Sequence, residues 1–139
     1  MKVFLDTNII IDFFDSEREH FRSAAILFDM AKKGKLGLIV CAQSFINAYY
    51  VVGKHYPKKD VIASMRELYK LCSVSPIDAS IIEQALVQES IDFEDTVQYF
   101  SSATADADII ITRDRHGFND FPIQHVSAEQ FLDEYIQKL

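Results

Sequence analysis

The sequence predicts an α/β fold: a single domain with a central, mostly parallel sheet of four to five short strands and helices on both faces. Three observations carry that expectation. Short apolar runs alternate with amphipathic segments along the whole chain, the order that builds a parallel sheet through helical crossovers. Asp108-Ile109-Ile110-Ile111-Thr112 is apolar at consecutive positions, as in a strand covered on both faces. A hydrophobic fraction of 49% over 139 residues supplies a continuous core without disulfides or a structural metal.

The elements follow in order. Val3-Phe4-Leu5 is a strand that ends at Asp6. Asp6, Thr7 and Asn8 all have capping side chains, so a short helix follows over Ile9 to Phe14. Phe21, Ala24, Ala25, Phe28 and Ala31 recur at helical spacing and predict a helix from Glu19 to Lys33, stopped by Gly34. Leu36 to Val40 is a second apolar strand. Gln43 to Lys54 reads as a buried helix, with Phe45, Ile46, Tyr49, Tyr50 and Val52 as its apolar positions. Pro57 opens a helix through Leu71. Cys72 to Ser75 is a short strand, and Asp78 caps a helix to Glu89. Asp92 starts a helix to Ala105, followed by the isoleucine strand. A last strand lies near Gln124 to Val126, and Ser127 caps a C-terminal helix with Phe131, Leu132 and Tyr135 inward.

Composition narrows the function classes. Lys and Arg total 14 against 21 Asp and Glu, a formal net charge of −7. Such a surface repels phosphate backbones, so a nucleic-acid substrate must be met through a bridging cation and a few basic residues. Cys41 and Cys72 sit in apolar runs and read as buried thiols. No CxxC or Cys/His ligand spacing suggests zinc. A carboxylate at Asp6 comes too early for a signal peptide. No uncharged run approaches the roughly 18 residues of a membrane span. A cytoplasmic protein without membrane contact is expected. Ser44, Ser101 and Ser102 lack the turn of a serine hydrolase, and the 4 dispersed glycines form no phosphate loop.

The chemistry concentrates in carboxylates. In parallel sheets ligands bind at the carboxyl ends of the strands, and Asp6 and Asp114 both stand just past strand ends. Asp95 lies one turn into the Asp92 helix. Singly, each has a structural explanation: Asp6 as a cap, Asp114 as a turn residue, Asp95 as a favourable charge near the positive end of a helix dipole. Asp92 looks like the cap itself, with Asp95 completing a capping-box-like pair. Converging, the three would repel one another and raise each other's pKa. A hard divalent cation removes that penalty, and without His or Cys ligands the set favours Mg2+ or Mn2+.

Three segments carry a family resemblance. They are Val3-Phe4-Leu5-Asp6-Thr7-Asn8-Ile9-Ile10-Ile11-Asp12, Asp92-Phe93-Glu94-Asp95-Thr96-Val97-Gln98-Tyr99 and Asp108-Ile109-Ile110-Ile111-Thr112-Arg113-Asp114. In that order, and at this length, the sequence resembles a PIN domain, the small nuclease fold of VapC-type toxins of toxin–antitoxin pairs. The resemblance implies a ribonuclease in which Asp6, Asp95 and Asp114 are the catalytic, metal-binding acids. They would hold one or two Mg2+ or Mn2+ ions that activate water for phosphodiester cleavage. It implies that Thr7, Asn8 and Thr112 orient the site, and that the protein is a homodimer silenced by a protein antitoxin.

One position departs from the family. The acid expected on the helix after the second strand is absent, and Asn47 aligns there. An amide can ligate a metal or its water but supplies no charge, so weaker metal affinity is expected. Asp92 and Glu94 are possible compensators, but adjacent helix residues point about 100° apart, which argues against Glu94 and Asp95 facing one ion together. Asn47 also motivates a competing reading, a degenerate, non-catalytic module that binds RNA or protein. A phosphatase with Asp6 as nucleophile needs an acid two residues later, where Asn8 stands. Two small basic clusters occur, one of Lys54, His55, Lys58 and Lys59, the other of Arg113, Arg115 and His116. The second borders the acids, where Arg113 can hold an RNA backbone.

Overall fold

The computed structural model describes residues 1–89, 92–114 and 116–137. The order is β1 (Lys2–Leu5), α1 (Thr7–Phe14), α2 (Phe21–Lys32), β2 (Gly37–Cys41), α3 (Ala42–Val52), α4 (Lys58–Leu71) and β3 (Cys72–Ser75). Then come α5 (Ala79–Val87), α6 (Phe93–Thr104), β4 (Ile109–Ile111), β5 (Gln124–Val126) and α7 (Ala128–Gln137). The five strands form one sheet in the order β3-β2-β1-β4-β5, and every pairing is parallel.

Strand alternation divides the core into two layers, because successive side chains leave a strand on opposite faces. Val3, Leu5, Leu38, Val40, Ile109, Ile111 and Val126 face α1, α2, α3, α4 and α7. Phe4, Ile39, Cys41 and Ile110 face the other way, against Phe118, Phe121 and Tyr99 of α6. The expected α/β architecture with helices on both faces is therefore present. Fully burying a side chain such as Phe4 or Ile110 stabilises the fold by about 1.5–3 kcal/mol.

Strand order places the site. From β1 the chain winds outward to β2 and β3, then returns to β4 and β5 on the opposite side. The order reverses between β1 and β4, where the outgoing loops diverge and leave a crevice. The two strand ends are laced together there: Asp6 N donates to Ile111 O at 2.9 Å, and Thr112 N to Val126 O at 2.9 Å.

Several boundaries fall where capping chemistry puts them. Asp78 accepts from Ile81 N and Asp92 from Asp95 N, both at 3.0 Å. Ser127 Oγ accepts from Gln130 N, also at 3.0 Å. Gly34, with φ of 74°, ends α2 in the left-handed region that favours glycine. Other expectations need correction. α3 is buried along one side only, at Ser44, Ala48 and Val52. Ile46 and Tyr50 are 53% and 67% exposed, because α3 packs on α1 and the sheet along that side and leaves the rest in solvent. α5 ends at Val87, short of Glu89. β4 is only Ile109–Ile111: Asp108 turns its carboxylate to Lys2 N at 2.7 Å, and Thr112 directs its hydroxyl into the crevice. Both cysteines are free thiols, and burial pushes the Cys72 thiol up to about 11. Among the described residues no helix is long and apolar enough to cross a membrane.

Candidate metal centre

Asp6 is the N-cap of α1, extended at φ −63° and ψ 153°, which turns its side chain back over the start of the helix. Four donors hold its carboxylate. Oδ1 accepts from Thr7 N at 2.7 Å and Gln98 Nε2 at 2.9 Å. Oδ2 accepts from Thr112 Oγ1 at 2.6 Å and Asn8 Nδ2 at 3.1 Å. Capping uses only the Thr7 bond. Of the other three, Asn8 is local to α1, while Gln98 and Thr112 reach Asp6 from α6 and the end of β4, so tertiary structure supplies half of the donors that orient it.

Asp95 sits in the first turn of α6 and is only 6% exposed. Carboxylate oxygens of Asp92, Asp95 and Asp114 lie within 4.8 Å of one another. Asp114 is fixed by its own turn, with Oδ1 accepting from His116 N and Gly117 N at 3.0 Å each. No N–H or O–H of the described protein reaches Asp95 Oδ2, a buried oxygen without a donor. Burial, then the neighbouring Asp114, then the Asp6 charge push Asp95 up to about 8. Asp114 moves the opposite way, below the usual carboxylate range, chiefly through its hydrogen bond with Asp95. Without a cation, Asp95 carries the proton and Asp114 the charge.

Asp6, Asn47, Glu94, Asp95 and Asp114 line one open cleft of about 480 Å³, together with Thr7 and Asn8. A larger cleft of about 670 Å³ adjoins it through Asp114 and extends past Thr112 and Arg113 toward His20, His125 and Gln130.

A family model described as PIN domain matches residues 2–116. The chain belongs to the PIN domain family. This PIN domain is 24% identical to Ribonuclease VapC1 of Aquifex aeolicus over 139 residues, which covers 96% of this chain and 95% of that protein. Three solved structures share its fold. One is VapC20 of Mycobacterium tuberculosis, described as a sarcin–ricin loop cleaving toxin, at TM-score 0.67, 14% identity and 83% and 92% coverage of this and that chain. VapBC2 of Rickettsia felis, bound to a promoter DNA fragment, has TM-score 0.65 and 14% identity, covering 91% and 98%. FitAcB of Neisseria gonorrhoeae has TM-score 0.66 and 16% identity, covering 91% and 98%.

The remaining sequence-derived candidates take several roles in this PIN domain. Thr7 Oγ1 shares a hydrogen bond of 2.7 Å with Ser44 Oγ, joining α1 to α3. Asn8 bonds Asp6 and also accepts from Arg113 N at 3.4 Å. The Arg113 guanidinium pairs with Asp12 at 2.9 and 3.2 Å while lining the larger cleft. His116 is exposed beside Asp114, and Arg115 lies outside the described residues. Asn47 accepts from Gln43 Nε2 at 3.1 Å through its oxygen and donates to Glu94 Oε1 at 3.4 Å. Glu94 lines the same cleft as Asp95, while the carboxylate oxygens gathered within 4.8 Å are those of Asp92, Asp95 and Asp114, without Glu94. Gln98 and Asp12 were missed. Gln98 had a usable signal: three residues after Asp95, it shares that face of α6.

Proposed function

We propose that this PIN domain is a Mg2+- or Mn2+-dependent endoribonuclease, and that Asp6, Asp95 and Asp114 are its catalytic, metal-binding residues. The observation that carries this reading is Asp95 Oδ2, a buried carboxylate oxygen with no protein donor, set among other carboxylates. An all-oxygen set at a strand-order reversal fits a hard divalent cation. When bound, such an ion neutralises the acids, activates water and offsets charge on the scissile phosphate.

The chain's own residues prepare that chemistry. Asp6 is held in one orientation by Thr7, Asn8, Gln98 and Thr112. Asp114 is held by its turn, and Asp95 releases its proton as the site fills. The adjoining cleft passes Asp114 toward His20 and His125 and gives an RNA strand a route to the acids. RNA as substrate is supported by the similarity to Ribonuclease VapC1. Toxin biology is supported by the shared fold of VapC20 and VapBC2. A protein antitoxin presenting Arg or Lys to the acidic cleft suits a chain of net charge −7. We place the chain in a homodimer and in the cytoplasm as part of the same reading.

The test is RNA cleavage by purified, partner-free protein across Mg2+ and Mn2+, with EDTA and the Asp6→Asn and Asp95→Asn variants as controls. Cleavage is expected only for the wild type with metal. A wild type that cleaves no RNA under any of these metals sinks the nuclease reading and favours the non-catalytic module that Asn47 suggests.

A further inference from the structure

We propose that Glu94 supplies the fourth carboxylate of the cation site, with Asn47 as the positioning residue that holds it there. This rests on the metal-dependent reading above. In effect, an acid that the resemblance places on α3 comes in this chain from the first turn of α6.

The two side chains divide one task between them. Asn47 stands on α3 where the family acid is expected, and it lines the cleft. Its amide oxygen is engaged by Gln43 Nε2 at 3.1 Å, so that oxygen already has a donor. Its amide nitrogen instead points across the cleft to Glu94 Oε1, at 3.4 Å. The position thus offers a hydrogen-bond donor, and the charge arrives on the residue it binds. Asn47 contributes geometry and Glu94 contributes the negative oxygen.

A second observation points to a ligand. Asp95, whose Oδ2 is buried without a donor, lines the same cleft as Glu94. Among the described residues lining that cleft none is Lys, Arg or His, so no side chain there balances Asp6, Glu94, Asp95 and Asp114. The 100° between neighbouring side chains on a helix does not separate Glu94 from the site. The cleft crosses the N-terminal turn of α6, with Asp95 on its buried wall and Glu94 at its exposed rim.

The experiment is Mn2+ titration of the full chain, followed by the electron paramagnetic resonance of free Mn2+ and needing no RNA cleavage. Glu94→Gln is expected to weaken binding by at least about tenfold, with an unchanged circular dichroism spectrum and metal-free Tm. Glu83→Gln, an exposed acid on α5 outside this cleft, controls for lost bulk charge and should bind as wild type. Adding Asn47→Glu to Glu94→Gln is expected to recover most of the affinity. Wild-type affinity in Glu94→Gln, or an equal loss in Glu83→Gln, overturns the role of Glu94 and leaves the nuclease reading standing. A wild type that binds no Mn2+ overturns both.

Discussion

The guanidinium of Arg113 grips the buried carboxylate of Asp12 through two bonds, at 2.9 and 3.2 Å, and so ties α1 to the turn that carries Asp114. Asp12 is 1% exposed and also takes Arg18 Nε at 3.0 Å. One buried acid thus anchors two arginines, Arg18 from the segment after α1 and Arg113 beside Asp114.

Asp12→Asn should therefore loosen the fold and the site together. Hydrogen bonds to charged groups contribute about 1.5–3 kcal/mol. Both arginines are partly exposed and regain water, so a loss near the low end, about 2 kcal/mol, is expected. Thermal unfolding should show a Tm lowered by roughly 6 °C. RNA cleavage should fall as Asp114 loses its brace. Arg113→Lys should not substitute, because an ammonium cannot make the paired contact.

Gln98→Leu removes one of four donors from Asp6 and keeps the side-chain bulk. Groups that orient metal ligands are typically worth 10- to 100-fold in affinity or activity. Cleavage is expected to drop by about that factor while the circular dichroism spectrum stays unchanged. A variant as active as wild type would show that Thr7, Asn8 and Thr112 orient Asp6 sufficiently.

Gly117 matters for a close approach. A Cβ at that position would collide with the carboxylates of Asp95 and Asp114. The atoms struck are side-chain ends, which can swing aside, so Gly117→Ala should fold. The displaced Asp95 should then bind Mn2+ at least about tenfold more weakly. Parallel Mn2+ titration and thermal melts separate that outcome from simple destabilisation.

Proton coupling gives a pH prediction. Asp95 rises from 3.8 to about 8 on folding, so the folded chain holds this proton more tightly than the unfolded one. Its contribution to metal-free stability is complete below 3.8 and lost as pH rises through about 8. Metal binding requires the deprotonated form. Apparent Mn2+ affinity should therefore rise about tenfold per pH unit up to that point, then level off. Calorimetry in buffers of different ionisation enthalpy should register about one proton released per site at pH 7. A flat affinity between pH 6 and 8 would rule this out.

Much of the site was legible because local rules govern its parts. Asp6 follows an apolar strand and caps a helix. Asp92 caps α6 and so fixes Asp95 in its first turn. Asp114 follows the isoleucine run. Each position can be read from a few neighbouring residues, and so can most of the element boundaries.

Relations between distant residues were not legible. Gln98 bonds Asp6 across 92 positions, and Arg113 pairs with Asp12 across 101. The exposure of Tyr50 and Ile46 depended on which side of α3 met the sheet, and periodicity does not identify the covering partner. The same holds for Glu94, which helical geometry taken alone turns away from Asp95. The sequence determined the strands, the helices, the capping acids and their order. The tertiary structure decided that the strand order reverses beside β1, and so which side chains share one cleft. Local propensity acts over a few residues, whereas electrostatics and hydrogen bonding act wherever the fold brings charges together.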